Sequence, residues 1–455
     1  MKANEFLNNV CKEIKYKPAR EQISEELEEH IEELKNENLC KGYLEENAEE
    51  NAVEQMGDAK QIGKKLNKIH RPKLDWVLIG LIIILFSFRV ILELKSYMEY
   101  INPYGYSFCI EDFFSTEYRP IKYLIMGLIC GGIIYFFDYR RTKKWANLMY
   151  FTATMILIFQ WINWYFNLDR GMTGCINMRL WNICIPLYII AFAGYMANYK
   201  KEDFWDMIIL YTFSCVLIYA QSGSITNTAI LVVAYLTIIA SKMLQNNKNA
   251  IKKVIAVCSG ILCVAIIVML LMTNIKGSLL FWGESTEEVY AYNGYWYENT
   301  KEHEDKILNN LKWIGSTDEQ EELYESNSSH FRFLYIIGKL GIIPATILAV
   351  TIIFMCVRLI RNSKNIKDNY GKYLIIGLGT TYIVQSVIHI LMNLNLWIRS
   401  DVNLPFVAEG DLYFLINCFT FAVILSVYRR KDINFEEPKK SKLVVKIEDF
   451  LFEEV

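Results

Sequence analysis

Apolar runs of about 20 residues recur along this chain from Trp76 to Val427, each close to the length a helix needs to cross a hydrocarbon core of roughly 30 Å. That recurrence points to an all-α, polytopic membrane protein. Composition agrees: of 455 residues, 53% are hydrophobic and 14% aromatic against 22% charged, more apolar surface than a soluble fold of this size would bury. The surplus faces lipid.

About ten spans are expected, near residues 76–94, 120–137, 147–166, 181–197, 204–220, 224–241, 254–273, 331–357, 372–396 and 411–428. The formal net charge of −2 says nothing about orientation, whereas the placement of Lys and Arg does. Lys64-Lys65, Arg71 and Lys73 precede the first span, and Arg140-Arg141 with Lys143-Lys144 follow the second. Lys200-Lys201, the stretch Lys242 to Lys253, the loop Arg358 to Lys372 and Arg429-Arg430-Lys431 complete the alternate loops. That basic face is expected to be cytoplasmic and to carry both chain ends. The opposite loops, about 95–119, 167–180, 274–330 and 397–410, are mixed or acidic, rich in Tyr and Trp, and expected outside. The largest carries Tyr290, Tyr292, Tyr295, Trp296 and Tyr297, a helix-like stretch from Lys306 to Gly315, and an acidic run from Asp318 to Glu325. Ordered loops of that length are usually functional.

Residues 1–70 differ in composition and are expected to form a small soluble helical domain, followed by a membrane domain over 71–430 and a tail over 431–455. Amphipathic segments are expected at Asn4 to Ile14, Glu21 to Asn36, Glu45 to Gln55 and Ala59 to Lys68. In the second, Ile23, Leu27, Ile31 and Leu34 recur at helical spacing, with the glutamates mostly off that face. Met56-Gly57-Asp58 reads as a helix stop followed by a new N-cap. The acidic surface of this domain points to a cytoplasmic protein partner, since anionic headgroups and nucleic acid would repel it. No cleavable signal peptide is expected ahead of it.

The 11 cysteines have no zinc-type spacing and most lie inside apolar runs as small hydrophobes; Cys109 and Cys175, in outer loops, either pair or remain free thiols. His30, His70 and His303 have no partner at metal spacing. No P-loop, dinucleotide fingerprint or HExxH pattern occurs, so neither cofactor nor metal is expected. Polar residues within spans recur at three-to-four spacing. Arg89 and Glu93 share a helix face and either snorkel to the interface or line a groove. Gln160, Asn163 and Trp164, and likewise Gln385, His389 and Asn393, are expected to make interhelical hydrogen bonds.

Near the C-terminus, Met392-Asn393-Leu394, Leu404-Pro405-Phe406 and Glu409-Gly410-Asp411 join two apolar helices across a short polar loop, and Lys339-Leu340-Gly341 lies upstream. This wording resembles the SEDS proteins (shape, elongation, division and sporulation, of the FtsW, RodA and SpoVE types), membrane enzymes that polymerise peptidoglycan from lipid II. Ile23 to Ile31, Gly42, Ala52 and Gln55-Met56-Gly57 resemble the prefix domain found ahead of some bacterial permease-like proteins.

The resemblance implies a role in cell wall synthesis during division, elongation or sporulation. It implies lipid II or another undecaprenyl-linked precursor as ligand, and a class B penicillin-binding protein as partner. The family's essential Asp, which precedes the eighth span, falls on His330, with Glu325 and Arg332 as neighbouring candidates. Imidazole accepts a proton near pH 7 but offers neither the negative charge nor the two acceptor oxygens of a carboxylate. Asp318, Glu321, Glu322 and Glu325 either substitute for it or form a solvated acidic stretch. Arg89, Glu93, Asn393, Leu404, Pro405 and Gly410 are the implied substrate-binding positions. The family's closing glycines are replaced by Asn395, Asp401 and Asp411, and its proline by Ile398. Three readings follow: a glycan polymerase of reduced or lost activity, an inactive lipid II-binding scaffold or regulator, and a flippase or transporter of the precursor.

Overall fold

The computed structural model describes residues 2–70, 72–101, 119–165, 180–198, 204–222, 224–246, 308–315, 331–394, 396, 402–408 and 411–431. They divide into two compact units, one built on the N-terminal helices and one running from Asp75 to Tyr428. The expected seventh span at 254–273, most of the outer loop 274–330, both outer-loop cysteines and the tail beyond 431 lie outside the described residues.

The first unit has four helices: α1 (Ala3–Glu13), α2 (Lys17–Cys40), α3 (Glu45–Met56) and α4 (Ala59–His70). Helices α1 and α4 pack together, as do α2 and α3, around a core that includes Phe6, Leu7, Val10, Ile23, Ile31 and Val53. Gly57 follows α3 at φ +91°, and Asp58 accepts the Lys60 N–H at the start of α4. The stop-and-cap reading of this junction matches its geometry.

In the second unit the described helices are α5 (Trp76–Ile101), α6 (Arg119–Phe136), the short α7 (Arg140–Lys144), α8 (Ala146–Tyr165), α9 (Trp181–Asn198), α10 (Phe204–Ser222), α11 (Ile225–Asn246), α12 (Arg332–Leu340), α13 (Ile342–Lys364), α14 (Asn369–Asn393) and α15 (Asp411–Arg429). Six of them, α5, α9, α11, α13, α14 and α15, are long and apolar enough to cross a membrane; α6, α8 and α10 are shorter apolar helices. Helix α13 explains the patterning: Leu348, Ile352, Met355 and Leu359 are buried, while Ile347, Val350, Ile353, Phe354 and Ile360 are exposed. A face so apolar on the outside of the bundle is matched to lipid, not water. The chain is therefore a multi-pass membrane protein.

Helix α14 lies at the centre, against α9, α11, α12 and α13. Gly377 permits the approach, since a Cβ there would stand 2.6 Å from Ile189 Cγ2 and 2.7 Å from Ile238 Cδ1.

Three sequence expectations are corrected. The eighth span, read as one helix over 331–357, is broken at Gly341 into α12 and α13. Gly341 adopts φ +97°, open to glycine and strained for other residues, and the bend admits residues 312–315 alongside. Lys312 and Trp313 carbonyls then accept the Ile342 and Ile343 N–H groups, which otherwise open α13 without partners. Consequently the helix expected over 306–315 is not continued there: residues 308–309 are helical and 310–315 are irregular. Finally, Arg358 is not a loop residue, because α13 continues to Lys364.

Candidate functional site

Residues 402–408 form an irregular segment between α14 and α15, yet Leu404, Pro405, Phe406, Val407 and Ala408 are all buried. Irregular backbone inside an apolar bundle must have its carbonyls satisfied by protein, since hydrocarbon offers no donor. Among the described residues, four side chains around it serve that need. His389 meets the Val402 carbonyl at 2.8 Å through Nδ1, which must carry the proton because a carbonyl can only accept. The Tyr413 hydroxyl donates to Asn403 O at 3.0 Å. Leu404 O accepts the N–H groups of Val407 and Ala408, closing a turn. Arg332 Nε donates to Val407 O at 3.2 Å, and Arg89 Nη1 donates to Ala408 O at 3.3 Å.

The turn holds Phe406 at φ +67°, a conformation costing about 1–3 kcal/mol for a bulky residue. It persists because the Phe406 ring packs against Phe86 and Phe421, at centroid distances of 5.3 and 4.8 Å.

Arg89 and Arg332 thus converge on adjacent carbonyls from α5 and from the first turn of α12. They are 1% and 0% exposed. Arg89 pairs with Glu93 at 2.8 Å and lies over the Phe414 ring at 4.4 Å; Arg332 lies 5.2 Å from the Tyr335 ring centre. Arg89 therefore does not snorkel: its guanidinium is directed into the protein, against the 402–408 segment.

Asn393 accepts the Leu334 N–H at 2.9 Å and donates to His389 O at 2.8 Å. Phe331, at the N-cap of α12, makes no side-chain cap, so Asn393 supplies one from another helix. The Gln385, His389 and Asn393 stripe is used in three ways. Gln385 lines a cavity of about 20 Å³ with Asn182, Tyr413 and Asn417, roughly the space of one water. His389 holds the irregular segment and Asn393 caps α12. Of the sequence-derived site residues, Arg89, Glu93, Arg332, Asn393, Leu404 and Pro405 belong to this one cluster, while Glu325, His330 and Gly410 lie outside the described residues.

A second polar cluster was not anticipated. Asp75 is fully buried and receives Arg358 through Nε and Nη2 at 2.7–3.0 Å, Asn362 Nδ2 at 2.6 Å and the Leu78 N–H at 3.1 Å. Burial alone would raise the pKa of this carboxylate. The hydrogen bonds from Arg358, Asn362 and Leu78, with the Arg358 charge, outweigh burial and hold it below the ordinary value. The signal in the sequence was an acidic residue immediately before an apolar run, an N-cap pattern.

The family model for cell cycle proteins of the FtsW/RodA/SpoVE type matches residues 315–433, the stretch that contains α12 to α15 and the 402–408 segment. A curated relative, a probable peptidoglycan glycosyltransferase FtsW of Enterococcus hirae, is 29% identical over 126 residues, 26% of this chain. The match spans about a third (32%) of that relative's length. Among solved structures, a chain of a peptidoglycan synthase complex that coordinates polymerization and crosslinking is similar at TM-score 0.54 and 12% identity, covering 79% of this chain and 99% of that one. The rod shape determining protein RodA of Thermus thermophilus is similar at TM-score 0.50 and 13% identity, covering 79% of this chain and 97% of that one. At such identity these structures speak to the fold alone. Residues 315–433 thus match the FtsW/RodA/SpoVE family model, and the arrangement of the helices is similar to that of RodA.

Proposed function

We propose that this protein acts in bacterial peptidoglycan assembly as a SEDS-type membrane protein that binds lipid II, with glycan polymerase activity reduced or lost. The observation that carries the reading is the convergence of Arg89 and Arg332 on the carbonyls of Val407 and Ala408. Guanidinium is the side chain suited to a pyrophosphate-linked precursor, and two of them meet at the buried segment. In this role Arg89, Glu93, Arg332 and Asn393 are positioning residues that hold Leu404 and Pro405 in place, with Gly410 a binding position by resemblance alone.

Glycosyl transfer also needs a base to take the proton of the attacking sugar hydroxyl. By resemblance that position is His330, and the loss of the carboxylate there is the reason for assigning reduced activity. The same substitution favours a second reading, a scaffold or regulator that retains lipid II and its partner surface without polymerising.

In this proposal residues 1–70 and 431–455 are cytoplasmic and the loop 274–330 lies outside. A class B penicillin-binding protein is the transpeptidase partner, and a cytoplasmic protein contacts the N-terminal domain. Polymerisation of purified lipid II by the parent, His330→Asp and His330→Ala proteins tests the reading. Gain of polymer in His330→Asp alone is the expected result. Polymer from the parent that vanishes in His330→Ala would overturn the assignment of lost activity. Retention of labelled lipid II by the parent, weakened in Arg332→Met, is expected whether or not polymer forms.

A further inference from the structure

The acidic character of the N-terminal unit is not spread over its surface. Between Glu21 and Asp58 the only Lys or Arg residues are Lys35 and Lys41, so α2 and α3 carry a dense negative charge. Helix α4 is the reverse: it has Lys60, Lys64, Lys65 and Lys68 and no Asp or Glu. All four lysines are exposed, and Lys60, Lys64 and Lys68 repeat every four residues along one side. Ile62 and Leu66, on the other side, pack on the core.

Helix α1 extends this basic surface. Gly63 brings α1 and α4 together, since a Cβ there would stand 2.8 Å from both Val10 O and Glu13 Cβ, the one carboxylate side chain at this seam among those contacts, and the Lys15 N–H donates to Asn67 Oδ1 at 3.0 Å. Lys12 and Lys15 are exposed beside α4. Among the described residues, none of these six ammonium groups has a carboxylate within ion-pair distance, whereas Lys35 of α2 pairs with Glu45 of α3 at 3.0 Å.

We propose that the lysine face of α4, extended by Lys12 and Lys15, binds anionic phospholipid headgroups of the membrane that α5 enters. The covalent chain favours this ligand over others. Residues 71–75 join α4 to the apolar α5, a tether of at most about 20 Å, roughly two Debye lengths at physiological salt. Each lysine near an anionic leaflet strengthens association roughly fivefold. The acidic α2–α3 side is repelled by the same surface and turns away from it, free to meet a protein. The proposal departs from the expectation, drawn from the acidic surface of the domain, that anionic headgroups would repel it. The proposal rests on α5 being a membrane span and is independent of the peptidoglycan reading.

Hydrogen exchange of the full-length protein in nanodiscs tests it, comparing phosphatidylcholine alone with mixtures containing phosphatidylglycerol. Nanodiscs present both leaflets alike, so the outcome does not depend on which way the chain crosses. Amides of α1 and α4 are expected to exchange about tenfold more slowly in the anionic discs, with the difference erased by added salt. The triple variant Lys64→Glu, Lys65→Glu, Lys68→Glu is expected to lose the difference while α2 and α3 exchange as in the parent, which verifies that the domain is still folded. Equal exchange in both lipids overturns the proposal, as does slowing shared equally by α2 and α3. Slowing of α4 that requires added polyglutamate and ignores lipid would assign the face to an acidic protein instead, and also overturns it.

Discussion

Asn393, the last residue of α14, caps α12 by accepting the Leu334 N–H at 2.9 Å across 59 residues of sequence. The same side chain donates to His389 O one turn back. A single amide therefore ties the first turn of α12 to the end of α14, and His389 in turn holds Val402.

Replacing Asn393 by Ala removes the cap and leaves a buried N–H unpaired, a loss of about 1–3 kcal/mol. Thermal unfolding in detergent is expected to show a lower midpoint for Asn393→Ala than for the parent. An unchanged midpoint would mean that the α12 terminus finds another acceptor.

Asp75 provides a pH test with a defined sign. Its folded pKa is depressed, so its stabilisation is complete above the unfolded carboxylate value of about 3.9 and is lost as pH falls through the lower folded value. Melting midpoints of the parent should hold steady on acidification to about pH 5 and decline below about pH 4, more steeply than those of Asp75→Asn. At neutral pH, Asp75→Ala strands the Arg358 charge and is expected to cost about 3 kcal/mol, the low end for a broken buried pair because Arg358 keeps 27% of its side chain exposed. Equal acid sensitivity in parent and Asp75→Asn would remove this ion pair from the account.

Gly341→Ala is expected to disturb the junction of α12 and α13. The new Cβ would stand 2.7 Å from Trp313 O and 2.8 Å from Ile314 Cα, on backbone at φ +97°. Strain of about 1–3 kcal/mol is expected, with faster hydrogen exchange at Ile342 and Ile343, whose N–H groups depend on residues 312 and 313. Unaltered exchange at those two amides would contradict the role assigned to the bend.

How far the chain could be read in advance varies by residue. The apolar runs at α5, α9, α11 and α14 were legible because a bilayer demands a fixed length of apolar side chains, and length and composition are properties of the sequence alone. The junction after Met56 was legible for a similar local reason, a glycine stop followed by an Asp cap. Residues 331–357 misled, because their continuous hydrophobicity conceals a bend that exists only when residues 312–315 lie against Gly341. Arg89 and Glu93 were paired correctly by spacing, but spacing could not tell a guanidinium reaching the interface from one donating to Ala408, 319 residues away.

The sequence by itself determined that the chain enters a membrane as helices, since hydrocarbon leaves backbone groups no partners outside their own helix. It also carried the family wording at Met392-Asn393-Leu394 and Leu404-Pro405-Phe406. Only the tertiary structure decided which donors meet the carbonyls of residues 402–408, and how the lysines of α4 are set apart from the glutamates of α2 and α3. Hydrogen bonds and surface charge depend on which groups are brought within a few ångströms, and that is a property of packing, not of order along the chain.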